Sequence, residues 1–360
     1  MSIDLGALRH NYQALQRHVG SQCQVAPVIK TNAYGLGAQK AAEALLLLGA
    51  QHFFVATFEE AVQLRKSGLK AHIYPLNGLW PDVMPEAVEL NITPVLSSLR
   101  QIKHWQSLAQ KQSRTLPFWL QVDTGLHRLG VSLKDAELLS QSPHLIEGLD
   151  LKVVMSHLAC GYDLESTYNE TQRLQFDQIT AFFPNALKSL ANSGALLGDR
   201  KYFYDIARPG RFLYGSTMSI KAPLLQSLKP IITLRARILQ VHDVAKGESI
   251  GYDQTFFAPK DMRIATLSIG YGDGYFQRLS NKAHGMIGSF KTPIVGRISM
   301  DLTTVDVSDI PEDHLAQHGW AELINHHITV DQLATWAQTN AWEILTHLGK
   351  RLHVSYSDCG

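Results

Sequence analysis

The chain has 360 residues, 45% of them hydrophobic and 18% charged, with a formal net charge of +1. That length exceeds one small core and predicts two domains. No Lys/Arg block stands out, so the charge balance offers no support for a nucleic-acid or anionic-membrane partner.

The opening stretch MSIDLGALRHNYQAL carries Asp4 and lacks the apolar run of a secretory signal. The longest apolar run, ALLLLGA, is far shorter than a bilayer span, so no membrane partner is expected. Cys23, Cys160 and Cys359 are odd in number and scattered, which points to reduced thiols and a cytoplasmic protein.

Up to about residue 225, short apolar runs alternate with amphipathic helical stretches. QVAPVIK precedes AQKAAEALLLLGA, and HFFVATF precedes EEAVQLRKSG; AHIYPL, ITPVLS, PFWLQVD, LDLKVVMSH, ALKSLANS and YFYDIARPG continue the series. Strand candidates alternating with helices predict an α/β fold, a (β/α)8 TIM-type barrel over residues 1–225. A doubly wound sheet is disfavoured, because GxGxxG does not follow the first strand. Over residues 226–360 the texture changes. IITLRARILQVHDV, MRIATLSIGYG and TPIVGRISMDLTTVDVSD alternate polar and apolar residues, which predicts a mostly β domain. One helix is expected near TVDQLATWAQTN, with Thr329 and Asp331 as capping candidates. The pairs His314/His318 and His326/His327 tempt a metal reading, but no third ligand follows at a recognisable spacing, and none is expected to bind.

In a barrel, reactive residues gather where strands end and loops begin. Strand one ends in Lys30, with Tyr34 four residues on; strand five leads to Arg128 and strand six to His157. Strand seven gives Asn192, Ser193 and Gly194, and strand eight gives Arg208, Gly210 and Arg211. Gly turns and a hydroxyl after the last two strands suit a phosphate. A lysine on strand one together with that phosphate site suggests pyridoxal 5′-phosphate, with the lysine as covalent attachment point. Taken singly, Ser193 reads as a helix cap, Arg208 as half of a surface ion pair and His157 as a core histidine. Five strand ends with compatible chemistry favour the site.

The stretches VIKTNAYGLG, VDTGLHRLG, MSHLA, ANSGA, ARPGRFLYG, GYDQTF, SIGYGDGY and VGRISMD carry a resemblance over nearly the whole chain. The sequence is similar to the alanine racemase family. The resemblance implies a pyridoxal-phosphate barrel plus a β domain, working as a homodimer that interconverts L- and D-alanine for peptidoglycan.

Carried over, Lys30 is the cofactor lysine and one catalytic base, and Tyr252 is the other base, supplied by the partner subunit. Arg208 faces the pyridine nitrogen, and Tyr34, Asn192, Ser193, Gly210 and Arg211 surround the phosphate. Arg128 and the Met300 backbone N–H, the latter from the partner, take the substrate carboxylate. His157 links Tyr252 to Arg208, and Tyr271 narrows the entrance. Racemisation explains the set: a Cα proton leaves one face and returns on the other, which two opposed bases achieve without turning the intermediate. Both bases are expected to titrate below their ordinary values near 10.

Three positions depart from the family pattern. Gln121 stands where many relatives carry a carbamylated lysine, so chloride or Gln121 itself is left to orient Arg128. Trp342 replaces a tyrosine near the phosphate. Arg211 replaces an aliphatic residue, and its side chain is expected to be solvated while its N–H serves the phosphate. Three alternatives compete with the racemase reading: a racemase of broader specificity, a pyridoxal-phosphate decarboxylase, and a barrel that only buffers the cofactor. The decarboxylase lacks its C-terminal cysteine motif, and the buffer leaves the second domain unexplained.

Overall fold

A computed structural model describes residues 1–217, 222–349 and 351–358; Cys359 lies outside them. The first strand, β1 (Ser2–Asp4), runs into a helix, Leu5–Val19, whose start is capped by the Asp4 carboxylate accepting from the Ala7 N–H at 3.0 Å. Eight strands follow: β2 (Gln24–Val25), β3 (His52–Val55), β4 (His72–Pro75), β5 (Val95–Leu96), β6 (Leu116–Gln121), β7 (Leu149–Met155), β8 (Leu187–Ser189) and β9 (Ile206–Ala207). Each coincides with one of the apolar runs that predicted it, β6 starting one residue earlier.

These strands pair in parallel and close on themselves. β3 pairs with β4, β5 through β8 form a continuous ladder, and β9 returns to β2. Bridges Val28↔Phe54 and Asn192↔Arg208 and a bond from Thr93 N–H to the Ile73 carbonyl seal the remaining seams. The interior is filled by side chains that include Phe54, Tyr74, Trp119 and Met155, so the barrel is a packed core.

The second half is mostly β. Strand β10 (Ile232–Val244) is long and serves two neighbours. Its first half pairs antiparallel with β15 (Trp320–Ile324) and its second half with β11 (Met262–Leu267), which in turn pairs with β14 (Thr303–Asp306). The hairpin of β12 (His284–Ile287) and β13 (Phe290–Pro293) joins at β15. The helix expected near TVDQLATWAQTN spans Val330–Ala337, with Thr329 and Gln332 forming a capping box. Asp331 lies in its first turn and has a different role, described below.

One strand has a place that periodicity did not reveal. β1 joins the sheet of the second half, antiparallel to β10 (Ser2↔Thr233) and parallel to β16 (Ser355–Ser357). Three residues alternate too briefly to announce a strand, and their partners lie more than 200 positions away.

Candidate active site

At the carboxyl ends of the barrel strands lies a cavity of about 750 Å³, closed on one side by residues of the helix Ala341–His347. Lys30, Tyr34, Arg128, His157, Asn192, Ser193, Arg208, Gly210 and Arg211 all line it. Residues from five separate strand ends thus meet in one place, as a barrel edge requires.

Lys30 owes its position to an unusual turn. Thr31, Asn32, Ala33 and Tyr34 all have φ between 53° and 57°, a left-handed run that L-residues adopt only at a cost of about 1–2 kcal/mol each. Gly35 ends it at φ 86°, where a Cβ would stand 2.5 Å from the Leu345 carbonyl oxygen. Bonds from Ala33 N–H to Ile29, Gly35 N–H to Thr31 and Gly37 N–H to Asn32 hold the turn from within. Glu60 holds it from outside, accepting from Asn32 N–H at 3.0 Å and from Ala56 N–H at 2.7 Å. Burial, then the charge of Arg128, lower the Lys30 pKa, while the Glu60 carboxylate opposes them. The neutral amine is thereby favoured.

At the opposite end, the Gly210 N–H donates to the Ser193 hydroxyl at 3.0 Å, and a Cβ on Gly210 would meet the Tyr34 hydroxyl at 2.4 Å. Only glycine allows that approach. The Tyr34 phenol is pushed above its ordinary range, chiefly by burial. Tyr162, five residues beyond His157, joins this end through Ser193 and Arg211. Sequence reading missed Tyr162 and Glu60, because neither sits in a stretch with a recognisable spacing, and it read Asp331 only as a helix cap, whereas it holds Arg211.

Arg208 is buried and donates to the Ser189 hydroxyl and the Ser156 carbonyl. His157 is held neutral: burial first, then Arg208, Arg128 and Lys30, bring its pKa down to about 3. Its Nε2 lies 3.3 Å from Asn192 Nδ2, so Asn192, rather than Arg208, is its hydrogen-bond partner in this chain. Arg128 makes no hydrogen bond or ion pair to a described residue. Gln121 is buried beside it and donates to the carbonyl of the adjacent Leu129 at 3.1 Å. The expectation of a solvated Arg211 side chain is corrected. It is 5% exposed, bonded to Asp331 at 3.1 Å, with its guanidinium 3.7 Å from the Trp342 ring centroid.

Three expected residues do not line this cavity. Tyr252 is 69% exposed and Met300 53% exposed, and Tyr271 is 43% exposed. They share one face of the β domain instead. Gly251 packs on Gly296 and Arg297, Asp253 pairs with Arg297, and Tyr271 and Gly272 donate to Ser299 and Met300 carbonyls.

Domain patterns of known families cover the same two halves. Residues 3–218 match the N-terminal domain of alanine racemases and residues 231–356 the C-terminal domain. The chain belongs to the alanine racemase family. Among its curated relatives, the alanine racemase of Rickettsia peacockii (strain Rustic) is 39% identical over 357 residues, covering 99% of this chain and 98% of its own. That of Brucella suis is 40% identical over 365 residues, covering 98% and 91%. The crystal structure of the Bartonella henselae alanine racemase, with covalently bound pyridoxal phosphate, superposes with a TM-score of 0.91 at 37% identity, covering 99% of this chain and 98% of that one. The biosynthetic alanine racemase of Pseudomonas aeruginosa gives 0.88 at 33%, with the same coverage. The barrel-plus-β architecture of this family member is therefore that of alanine racemases. Among the described residues, no helix is long and apolar enough to cross a membrane.

Proposed function

We propose that this chain interconverts L- and D-alanine with pyridoxal 5′-phosphate as cofactor, using Lys30 and Tyr252 as bases on opposite faces of the substrate Cα. One observation carries the reading. Four cations, Lys30, Arg128, Arg208 and Arg211, line the cavity against a single carboxylate, Glu343. An amino acid joined to this cofactor brings two anions, a phosphate and a carboxylate, and such a lining suits both.

Lys30 is the covalent attachment point. Tyr34, Asn192, Ser193, Gly210 and the Arg211 N–H hold the phosphate, and Arg208 faces the pyridine nitrogen with His157 beside it. When bound, the cofactor acidifies the substrate Cα–H by drawing its electron pair into the ring. Arg208, a permanent cation with no acceptor, could only donate to a ring nitrogen facing it and would keep that nitrogen unprotonated, which would favour racemisation over transamination. Arg128 takes the substrate carboxylate. Lys30 moves the proton on one face of Cα and Tyr252 on the other.

Tyr252 and Met300 are exposed and do not line their own chain's cavity, so we assign that face to a second copy, whose cavity they complete. The enzyme then works as a homodimer. We divide the chain into a cofactor barrel, 1–225, and a β domain, 226–360, that serves the neighbouring site. We also place it in the cytoplasm, where three scattered cysteines stay reduced and D-alanine is supplied for peptidoglycan. Proton–deuterium exchange at Cα, measured over a panel of amino acids, tests the reading. Exchange with inversion confined to alanine is expected; a wide panel of substrates points to a broader racemase, and release of CO₂ to a decarboxylase.

A further inference from the structure

Arg211 is held in a way that a mere structural cation does not need. Its Nε donates to the Ser216 hydroxyl at 2.9 Å, and one terminal nitrogen donates to Asp331 at 3.1 Å. The Ser216 hydroxyl also donates to Asp331, at 2.6 Å, and the Thr217 N–H at 2.7 Å. The guanidinium stands against the Trp342 ring, 3.7 Å from its centroid, with the Tyr162 ring alongside at 5.3 Å. Such a clamp fixes the fork in one orientation. Arg211 lines the cavity and Asp331 does not, so the carboxylate stands behind the guanidinium and the cavity meets its positive side. The second terminal nitrogen is left without a carboxylate, and the same end of the cavity presents the Ser193 and Tyr34 hydroxyls and the Gly210 turn. The one lining carboxylate, Glu343, accepts from the Thr339 hydroxyl.

We propose that the Arg211 side chain, oriented by Asp331 and stacked on Trp342, is itself a phosphate ligand that selects the phosphorylated cofactor over its dephosphorylated form. The inference rests on the reading that this end of the cavity takes the phosphate. It also implies that cofactor binding tightens the clasp between the barrel and the helices carrying Asp331 and Trp342.

Apoprotein titrated with pyridoxal 5′-phosphate and, separately, with pyridoxal tests it. Arg211→Met keeps an apolar contact with Trp342 but removes the charge. It is expected to weaken pyridoxal 5′-phosphate binding by about 10- to 100-fold, the range of one charge-assisted hydrogen bond, and to leave pyridoxal binding unchanged. Arg211→Lys should restore part of the preference, since it keeps the charge without the fork. An unchanged preference in both variants, or an equal loss for both cofactors, would overturn the inference and leave Arg211 as an interdomain clasp. Failure of the unaltered apoprotein to bind pyridoxal 5′-phosphate would instead overturn the reading of the cavity, and the inference with it. Should Arg211→Met not fold, the phosphorus resonance of the loaded wild-type protein decides. A clamped guanidinium keeps the phosphate dianionic well below the pH of about 6 at which a free phosphate monoester takes up its proton. Titration at the free value would count against the proposal.

Discussion

The Glu60 carboxylate accepts the Asn32 N–H at 3.0 Å and so ties the helix Phe58–Lys66 to the left-handed turn that follows Lys30. The same carboxylate completes a capping box with Thr57. One side chain thus caps a helix and stabilises the least favourable backbone in the site. Glu60→Ala leaves the Asn32 and Ala56 N–H groups without this partner, and is expected to cost about 1–3 kcal/mol of stability. Chemical denaturation of the apoprotein measures this, and an unchanged midpoint would show that the turn is held by its internal bonds alone.

Lys30 titrates below an ordinary lysine because burial and the Arg128 charge disfavour its protonated form. A lowered pKa means that the neutral amine is already populated at lower pH. The rate at which apoprotein takes up pyridoxal 5′-phosphate covalently is therefore expected to level off below the ordinary lysine value of about 10.4. Lys30→Ala should abolish covalent uptake and activity. Borohydride reduction followed by peptide mapping is expected to mark Lys30; a mark on any other lysine sinks the assignment.

If Tyr252 serves one face of Cα, its loss is directional. Tyr252→Phe is expected to slow proton abstraction from L-alanine by about 10²–10⁴-fold while affecting D-alanine far less, the scale of a lost general base. Single-turnover exchange in both directions reads it. A small and equal effect would remove Tyr252 from the mechanism.

Sharing of the site between copies predicts complementation. Lys30→Ala and Tyr252→Phe chains are each expected to be inactive or crippled alone. Mixed under subunit exchange, each heterodimer regains one intact site. No recovery after verified exchange would mean that each chain completes its own cavity.

Gln121 donates to the Leu129 carbonyl and so fixes the backbone next to Arg128. A carbamylated lysine cannot form at an amide, so bicarbonate is expected to leave activity unchanged. Gln121→Leu frees the loop that carries Arg128, and should raise KM for alanine more than it lowers kcat. A lowered KM when chloride is titrated at constant ionic strength would instead make a diffusible anion the orienting partner.

Much of this was legible in the chain. The eight barrel strands announced themselves because apolar runs bounded by turns read the same wherever the chain goes, and Lys30, His157 and Arg208 followed because a barrel puts strand ends on one edge. Thr329 could be read as a cap because capping is settled within four residues. The sequence could not place β1 in the second half's sheet, since that pairing depends on strands more than 200 residues away. Nor could it show that Arg211 is buried on Trp342 and Asp331, positions separated by 131 and 120 residues. A lone arginine after a glycine reads as solvated, because its partners are set by how the C-terminal helices dock on the barrel. Local pattern determined which elements form and which strand-end residues line the cavity. Burial, charge partners and the strained turn beside Lys30 were decided only when distant segments packed together, because desolvation and hydrogen-bond geometry belong to neighbours in space.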